Sequence, residues 1–423
     1  MTAVKFAPVF AGLFVLWPLL AVLGAQGYSP LLALMAIGGL SFLRRPQWTA
    51  PGLWWLAVAW AATSSAWAID NIAGGGVVTG GFGSGDFSID ATALRIALTA
   101  LCMNLLLLSL RSVMDVHGPN AARVILGTGF VHLALVALTP LLFPIITSLI
   151  YTPEEAASDG LQNALRAINA FTLIMPLLLA WAWHTPPHIS RRIGVVGCVI
   201  ITMLSAVAMG NQAALLAVAA GLGAIGLVRL FPRSGYSILF TVAAAMVLAA
   251  PFVLGRVAGL AASAGITLPG SFQSRAWSWQ VVSEKIQLQP LLGYGLEASG
   301  DWRETYSDYP DWLAKIVAEG GDEAAWSVYR VVPGHPHNMA LELWAETGMI
   351  GAGIVALALL VTGFTAPRPA RLPPVTRYAL AGVFGATLVY FNLAYSLWNE
   401  AFWSSVMIAA VASVIVGRTF KRP

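Results

Sequence analysis

The residues best suited to chemistry lie late in the chain, in Gly334-His335-Pro336-His337-Asn338. A histidine with an ordinary pKa of about 6.5 can take a proton from a hydroxyl at neutral pH. His337 has no adjacent cysteine and no second histidine four residues on, so it offers a poor metal set, and no metal or other cofactor is expected. A lone histidine also serves packing in many proteins, and its position alone leaves that reading open. Upstream, Arg275, Trp279, Val282 and Ile286 recur at helical spacing. The spacing predicts an amphipathic helix lying on a membrane, stopped by Pro290 and the Gly293-Tyr294-Gly295 turn. Its arginine could hold a lipid phosphate through the paired donors of a guanidinium, or simply snorkel at the interface.

The elements around these residues read as membrane helices. Hydrophobic residues make up 58% of the 423 and charged residues only 10%, too few charges to cover a soluble protein of this size. About twelve segments approach the length needed to cross a bilayer, near 6–24, 28–43, 52–69, 91–110, 124–150, 168–183, 191–209, 211–230, 236–258, 339–364, 377–394 and 400–417. The N-terminal run, though signal-like, is followed at once by further spans and reads as an uncleaved first helix. The fold class expected is therefore all-α, a polytopic transmembrane bundle with one large periplasmic loop containing amphipathic helices. Its divisions are 1–258 (nine spans), 259–338 (the loop) and 339–423 (three spans).

Charge sets the orientation. With the N-terminus inside, 15 of the 23 basic residues fall in inner segments and Asp115 is the one acidic residue there, so both termini are expected in the cytoplasm. Cys102 and Cys198 sit in separate apolar runs and read as packing residues. Residues 70–90 are Gly-rich and read as a flexible outer loop; no strand precedes and no lysine follows them, so they make no phosphate loop. Residues 259–338 are long enough to fold outside the bilayer and carry Trp302, Tyr306, Tyr309, Trp312, Trp326 and Tyr329. Aromatic rings beside carboxylates suit sugar binding, and they suit an interfacial belt equally well.

Arg275, Trp279, then Gln289-Pro290-Leu291-Leu292-Gly293-Tyr294-Gly295, then His337-Asn338 and Leu341-Glu342-Leu343-Trp344-Ala345-Glu346-Thr347-Gly348-Met349-Ile350-Gly351 together resemble the O-antigen ligase and polymerase superfamily. The motif resemblance covers roughly 205–355. It implies a metal-independent glycosyltransferase of the bacterial inner membrane that moves a glycan from undecaprenyl diphosphate to an acceptor hydroxyl at the periplasmic face. The acceptor would be lipid A core for a ligase or another lipid-linked glycan for a polymerase, and the ligase label is preferred. On that resemblance His337 matches the catalytic histidine, Arg275 matches an arginine engaging the diphosphate, and Arg166 is a weaker match to a further basic residue. Relatives usually carry Ser-Arg-Gly where this chain has Met209-Gly210-Asn211-Gln212. Gln212 thus stands where an arginine is expected: either Arg166, Arg95 or Arg256 supplies the charge, or the donor or acceptor differs from the typical ligase. Arg95 and Arg256 read equally as interface anchors. Asn338 is expected to cap the helix that follows and to orient His337.

A secondary transporter is the alternative from another class; it requires ionisable groups near mid-membrane and a repeated half. No carboxylate lies near the centre of a span, for Glu342 and Glu346 fall in the first turns of theirs, and no repeat is visible. Membrane lipids are expected as surroundings, and nothing calls for nucleic acid.

Overall fold

The computed structural model describes residues 6–40, 52–68, 92–112, 119–150, 152, 155, 159–184, 189–264, 270–302, 304–305, 330–332 and 334–420. Among them the structure is helical, with one isolated β-bridge between Thr305 and Arg330. The helices are α1 (Phe6–Phe14), α2 (Trp17–Val22), α3 (Tyr28–Leu40), α4 (Gly52–Ser64), α5 (Thr92–Ser112), α6 (Pro119–Ile150) and α7 (Leu161–His184). They continue with α8 (Ile189–Ala208), α9 (Gln212–Leu230), α10 (Gly235–Ser263), α11 (Gly270–Leu288), α12 (Met339–Thr365), α13 (Pro374–Leu393) and α14 (Glu400–Thr419).

Seven of the described helices, α5, α6, α7, α9, α10, α12 and α14, are long and apolar enough to cross a membrane. Shorter apolar helices occupy Phe6–Val22, Tyr28–Leu40 and Ile193–Ala208. Their outward sides carry bare hydrocarbon such as Leu141, Leu149, Leu230 and Phe364. Such a surface is stable only against lipid, where helices satisfy their own backbone groups. The chain is an integral membrane protein.

Several boundaries differ from the apolar runs for physical reasons. The first run breaks into α1 and α2, because Pro18 has no N–H to give the carbonyl four residues back and so the turn at Phe14 cannot continue. The run at 168–183 is only the buried part of a longer helix: Asn163, Arg166 and Asn169 interrupt the hydrophobicity, yet α7 starts at Leu161. The Gly-rich stretch 70–90 lies outside the described residues, as do Tyr306, Tyr309, Trp312, Trp326 and Tyr329.

Helix α7 is the axis of the larger core. Residues 167–180 are buried on every side, in contact with α2, α6, α8, α9, α13 and α14. Small residues bring α9 and α13 together: a β-carbon on Gly385 would stand 2.4 Å from the carbonyl oxygen of Ala220. Between membrane helices that close approach replaces the hydrophobic drive available in water. A second core joins α10, α11 and α12 through Val247, Trp279, Val282, Ile286, Leu341 and Trp344. Asparagine caps open three helices: Asn211 accepts from Ala214 N, Asn338 from Leu341 N and Asn399 from Phe402 N, at 3.0, 2.9 and 2.9 Å.

Candidate active site

The site forms where α11 meets the start of α12. Helix α11 ends at Leu288, just before Pro290, as the turn residues require. Its apolar stripe is covered by protein rather than laid on a membrane surface: Val282 and Ile286 are buried against α10 and α12, and Trp279 with them. The indole N–H of Trp279 donates to the carbonyl of Pro336 at 2.9 Å, so α11 holds the histidine segment directly.

His337 occupies the left-handed region at φ 51°, unusual for a residue with a side chain. Its backbone N–H donates to Nδ1 of His335 at 3.1 Å, and the two rings meet edge to face, 4.3 Å between centroids. Nδ1 of His337 lies 3.4 Å from the carbonyl oxygen of Ala394, to which only a protonated Nδ1 can donate. That contact leaves Nε2 with its lone pair, the atom a base would use. Burial, then the Arg275 charge, holds the His337 ring below the usual histidine range. Burial, His337 and Arg275 push His335 down to about 3. Arg275 lies one turn before Trp279, the residue that holds Pro336, and its charge lowers the pKa of both rings. It is itself half-buried, its own pKa lowered by desolvation, with its guanidinium carbon 5.7 Å from the centre of the Phe272 ring.

Asn338 does the expected capping and more. Its side-chain N–H donates to the carbonyl of Asn392 at 3.1 Å and to the side-chain oxygen of Asn392 at 3.3 Å, tying α12 to the end of α13. Beyond α13 the chain turns through Ala394–Trp398, and Glu342 fastens that turn by accepting from Ser396 Oγ (2.6 Å) and Leu397 N (2.7 Å). Glu346, one helical turn on, accepts from Ser299 Oγ (2.6 Å), Glu297 N (2.6 Å) and Trp398 Nε1 (2.5 Å). Two buried carboxylates spaced i, i+4 therefore bind α12 to both neighbouring loops.

The remaining motif segment, Pro290–Gly295, docks into a break in α12. At Gly348 (φ 66°) the helical ladder stops. Met349 N donates to Pro290 O at 2.8 Å, Tyr294 N to Ala345 O at 2.8 Å and Gly295 N to Glu346 O at 2.9 Å. The turn supplies the backbone partners that the broken helix lacks, which is how irregular backbone survives inside a membrane protein. The two motifs are partners in space.

Residues 196–356 match the O-antigen ligase family model. That stretch, less than half of the chain, is similar to the O-antigen ligase family, and it contains α11, the Pro290–Gly295 turn, His337 and the break at Gly348. No curated protein matches the chain.

The other candidate residues fare differently around the matched region. Arg166 is half-buried on α7, donates to Asn163 Oδ1 at 3.3 Å, and lines a small cleft with Gln26, Asn169, Tyr395 and Asn399. Tyr395 follows the Ala394 that touches His337, but neither His337 nor Arg275 lines the cleft that holds Arg166. Gln212 is exposed at the start of α9; its neighbour Asn211 points inward, donating to Asn169 Oδ1 at 2.9 Å and to Leu165 O at 3.1 Å. Arg95 is held by carboxylates, 3.9 Å from Glu297 and 3.5 Å from Glu400. Arg256 is exposed on α10. Of the arginines weighed as replacements at Gln212, Arg166 alone lines the cleft beside Tyr395.

The approach to the site is pinned at its base. Val331 N donates to Glu304 O at 2.8 Å, Arg330 donates to Gly300 O at 3.2 Å, and Lys285 pairs with Glu304 while resting on Trp302, 4.9 Å from its ring centre. The chain thus leaves at Thr305 and returns at Arg330 through one anchored point. Sequence reasoning named His335 and Asn211 within their motifs without giving them a role, and passed over Asn392, Tyr395 and the joint role of Glu342 and Glu346. The i, i+4 spacing of the glutamates was the one signal available for any of them.

Proposed function

We propose that this protein is a metal-independent glycosyltransferase of the ligase type, transferring a glycan from undecaprenyl diphosphate to a hydroxyl of lipid A core at the periplasmic face of the inner membrane. The observation that carries the reading is the hydrogen bond from Trp279, one turn beyond Arg275 on α11, to Pro336, the residue before His337, with the contact of Nδ1 to Ala394 leaving Nε2 of His337 as the basic atom. His337 Nε2 takes the acceptor proton as the acceptor oxygen bonds to the anomeric carbon. The bond from that carbon to the diphosphate breaks, and its electron pair leaves with the diphosphate. Arg275 offsets the developing charge through paired donors, and Arg166 supplies the second positive charge that Gln212 cannot. A good leaving group makes one base and cationic groups sufficient. About twelve spans, a periplasmic loop at 259–338 and cytoplasmic termini, from the basic inner segments, complete the reading.

The test is transfer of glycan in membranes that lack the native protein and are supplied with full-length variants. His337→Ala, inserted normally, should lose transfer, and more than a tenth of wild-type activity would refute the base role. Product on lipid A core supports the ligase; lengthening of lipid-linked glycan would assign a polymerase instead.

A further inference from the structure

We propose that His335 is a positioning residue that holds His337 in its left-handed backbone conformation, by accepting the His337 N–H on Nδ1. The inference rests on the assignment of His337 as the base.

The geometry around His337 has to be imposed, because a non-glycine residue at φ 51° is disfavoured by roughly 1–2 kcal/mol. Three constraints impose it. Pro336 fixes its own φ and restricts His335 to extended backbone. Trp279 holds the Pro336 carbonyl at 2.9 Å. Those two fix the peptide before His337 but leave its N–H without a helical partner, since the segment precedes α12. Nδ1 of His335, 3.1 Å away, is the acceptor for that N–H. The arrangement copies the turn in which an asparagine or aspartate side chain accepts from the backbone two residues on. It also fixes the His335 ring against that of His337, 4.3 Å between centroids, which limits how the base can swing. Without that acceptor His337 relaxes toward ordinary backbone angles and its Nε2 leaves the line of attack. Burial, His337 and Arg275 lower His335 to about 3, in keeping with a neutral Nδ1 that accepts the His337 N–H. Its part is therefore mechanical, and a different acceptor at the same place should serve.

The discriminating pair is His335→Phe, which keeps a ring but removes the acceptor, and His335→Asn, which keeps an acceptor two residues before the same N–H but removes the ring. Full-length variants are returned to depleted membranes of the source cell, which supply their own donor and acceptor, and kcat and donor KM are measured separately. His335→Phe should lower kcat about 10- to 100-fold with donor KM within about threefold, whereas His335→Asn should keep kcat within about threefold of wild type. Wild-type kcat in His335→Phe, or His335→Asn no better than His335→Phe, overturns the proposal. If His335→Phe does not insert, His335→Ala, which fits any space the histidine fitted, takes its place in the same comparison. His337→Ala in the same assay separates the two levels: if it still transfers glycan, the base assignment falls and this inference with it. If it is inactive while His335→Phe is wild type, only the positioning role falls.

Discussion

A β-carbon on Gly348 would lie 2.1 Å from the carbonyl oxygen of Leu291, far inside any possible contact. The break in α12 and the Pro290–Gly295 turn are thus one joint, closed only because residue 348 has no side chain. Gly348 also sits at φ 66°, where other residues are strained.

Gly348→Ala should therefore separate the turn from α12, losing hydrogen bonds such as Met349 N to Pro290 O and destabilising the protein by more than about 2 kcal/mol. Thermal unfolding in detergent measures it; a midpoint unchanged from wild type would show that the turn tolerates the displacement.

Glu346 yields a sharper contrast. Glu346→Gln can still accept from Glu297 N and Trp398 Nε1 on one oxygen and donate to Ser299 Oγ, so stability and transfer should stay near wild type. Glu346→Ala leaves three buried donors unmet, at about 1–3 kcal/mol each, and should unfold at a markedly lower temperature. Equal effects of the two would mean that the charge matters more than the acceptors.

The acid limb of activity reports the Arg275–His337 relationship. Burial and Arg275 both lower the His337 pKa from 6.5, so the neutral base persists as pH falls through that value and kcat/KM should decline only below it. Arg275→Gln removes one of the two lowering influences, and in its residual activity the limb should move to higher pH. A limb that stays put would separate Arg275 from the base. Arg275→Lys should recover little of the lost rate, because lysine lacks the paired donors.

For donor binding, Arg166→Ala should raise donor KM about 10- to 100-fold, the equivalent of one hydrogen bond to a charged group. Gln212→Arg in that background should restore part of it. Arg95→Ala should leave donor KM close to wild type, since Glu297 and Glu400 already occupy its guanidinium. Normal donor binding by Arg166→Ala would end the compensation argument.

Much of this was legible in the chain itself, for identifiable reasons. Long apolar runs and the Asn338 cap are local signals, so helices such as α10, α12 and α14 came out within a few residues of their ends. His337 and Arg275 stood out because their chemistry is unusual in an apolar chain. What stayed hidden depends on contacts far apart in sequence: nothing local to Gly348 announces Leu291, and nothing near Asn169 announces Asn211 or Tyr395. Proline was harder to read: Pro140 and Pro144 sit inside one continuous helix, as the unbroken run at 124–150 suggested, whereas Pro18 breaks the run at 6–24. Backbone groups freed by proline in a membrane helix are re-satisfied by neighbours that no local pattern names.

The bridge of Thr305 with Arg330, reinforced by Lys285 and Glu304, carries a corollary. Closing a longer loop on a fixed base costs little, about 0.6 kcal/mol for each doubling of its length. The length of the segment 306–329 can thus change at little cost while the base holds the two chain segments that meet at Thr305 and Arg330 together. A change of length in this segment should therefore leave the hydrogen bonds that hold His337 in place.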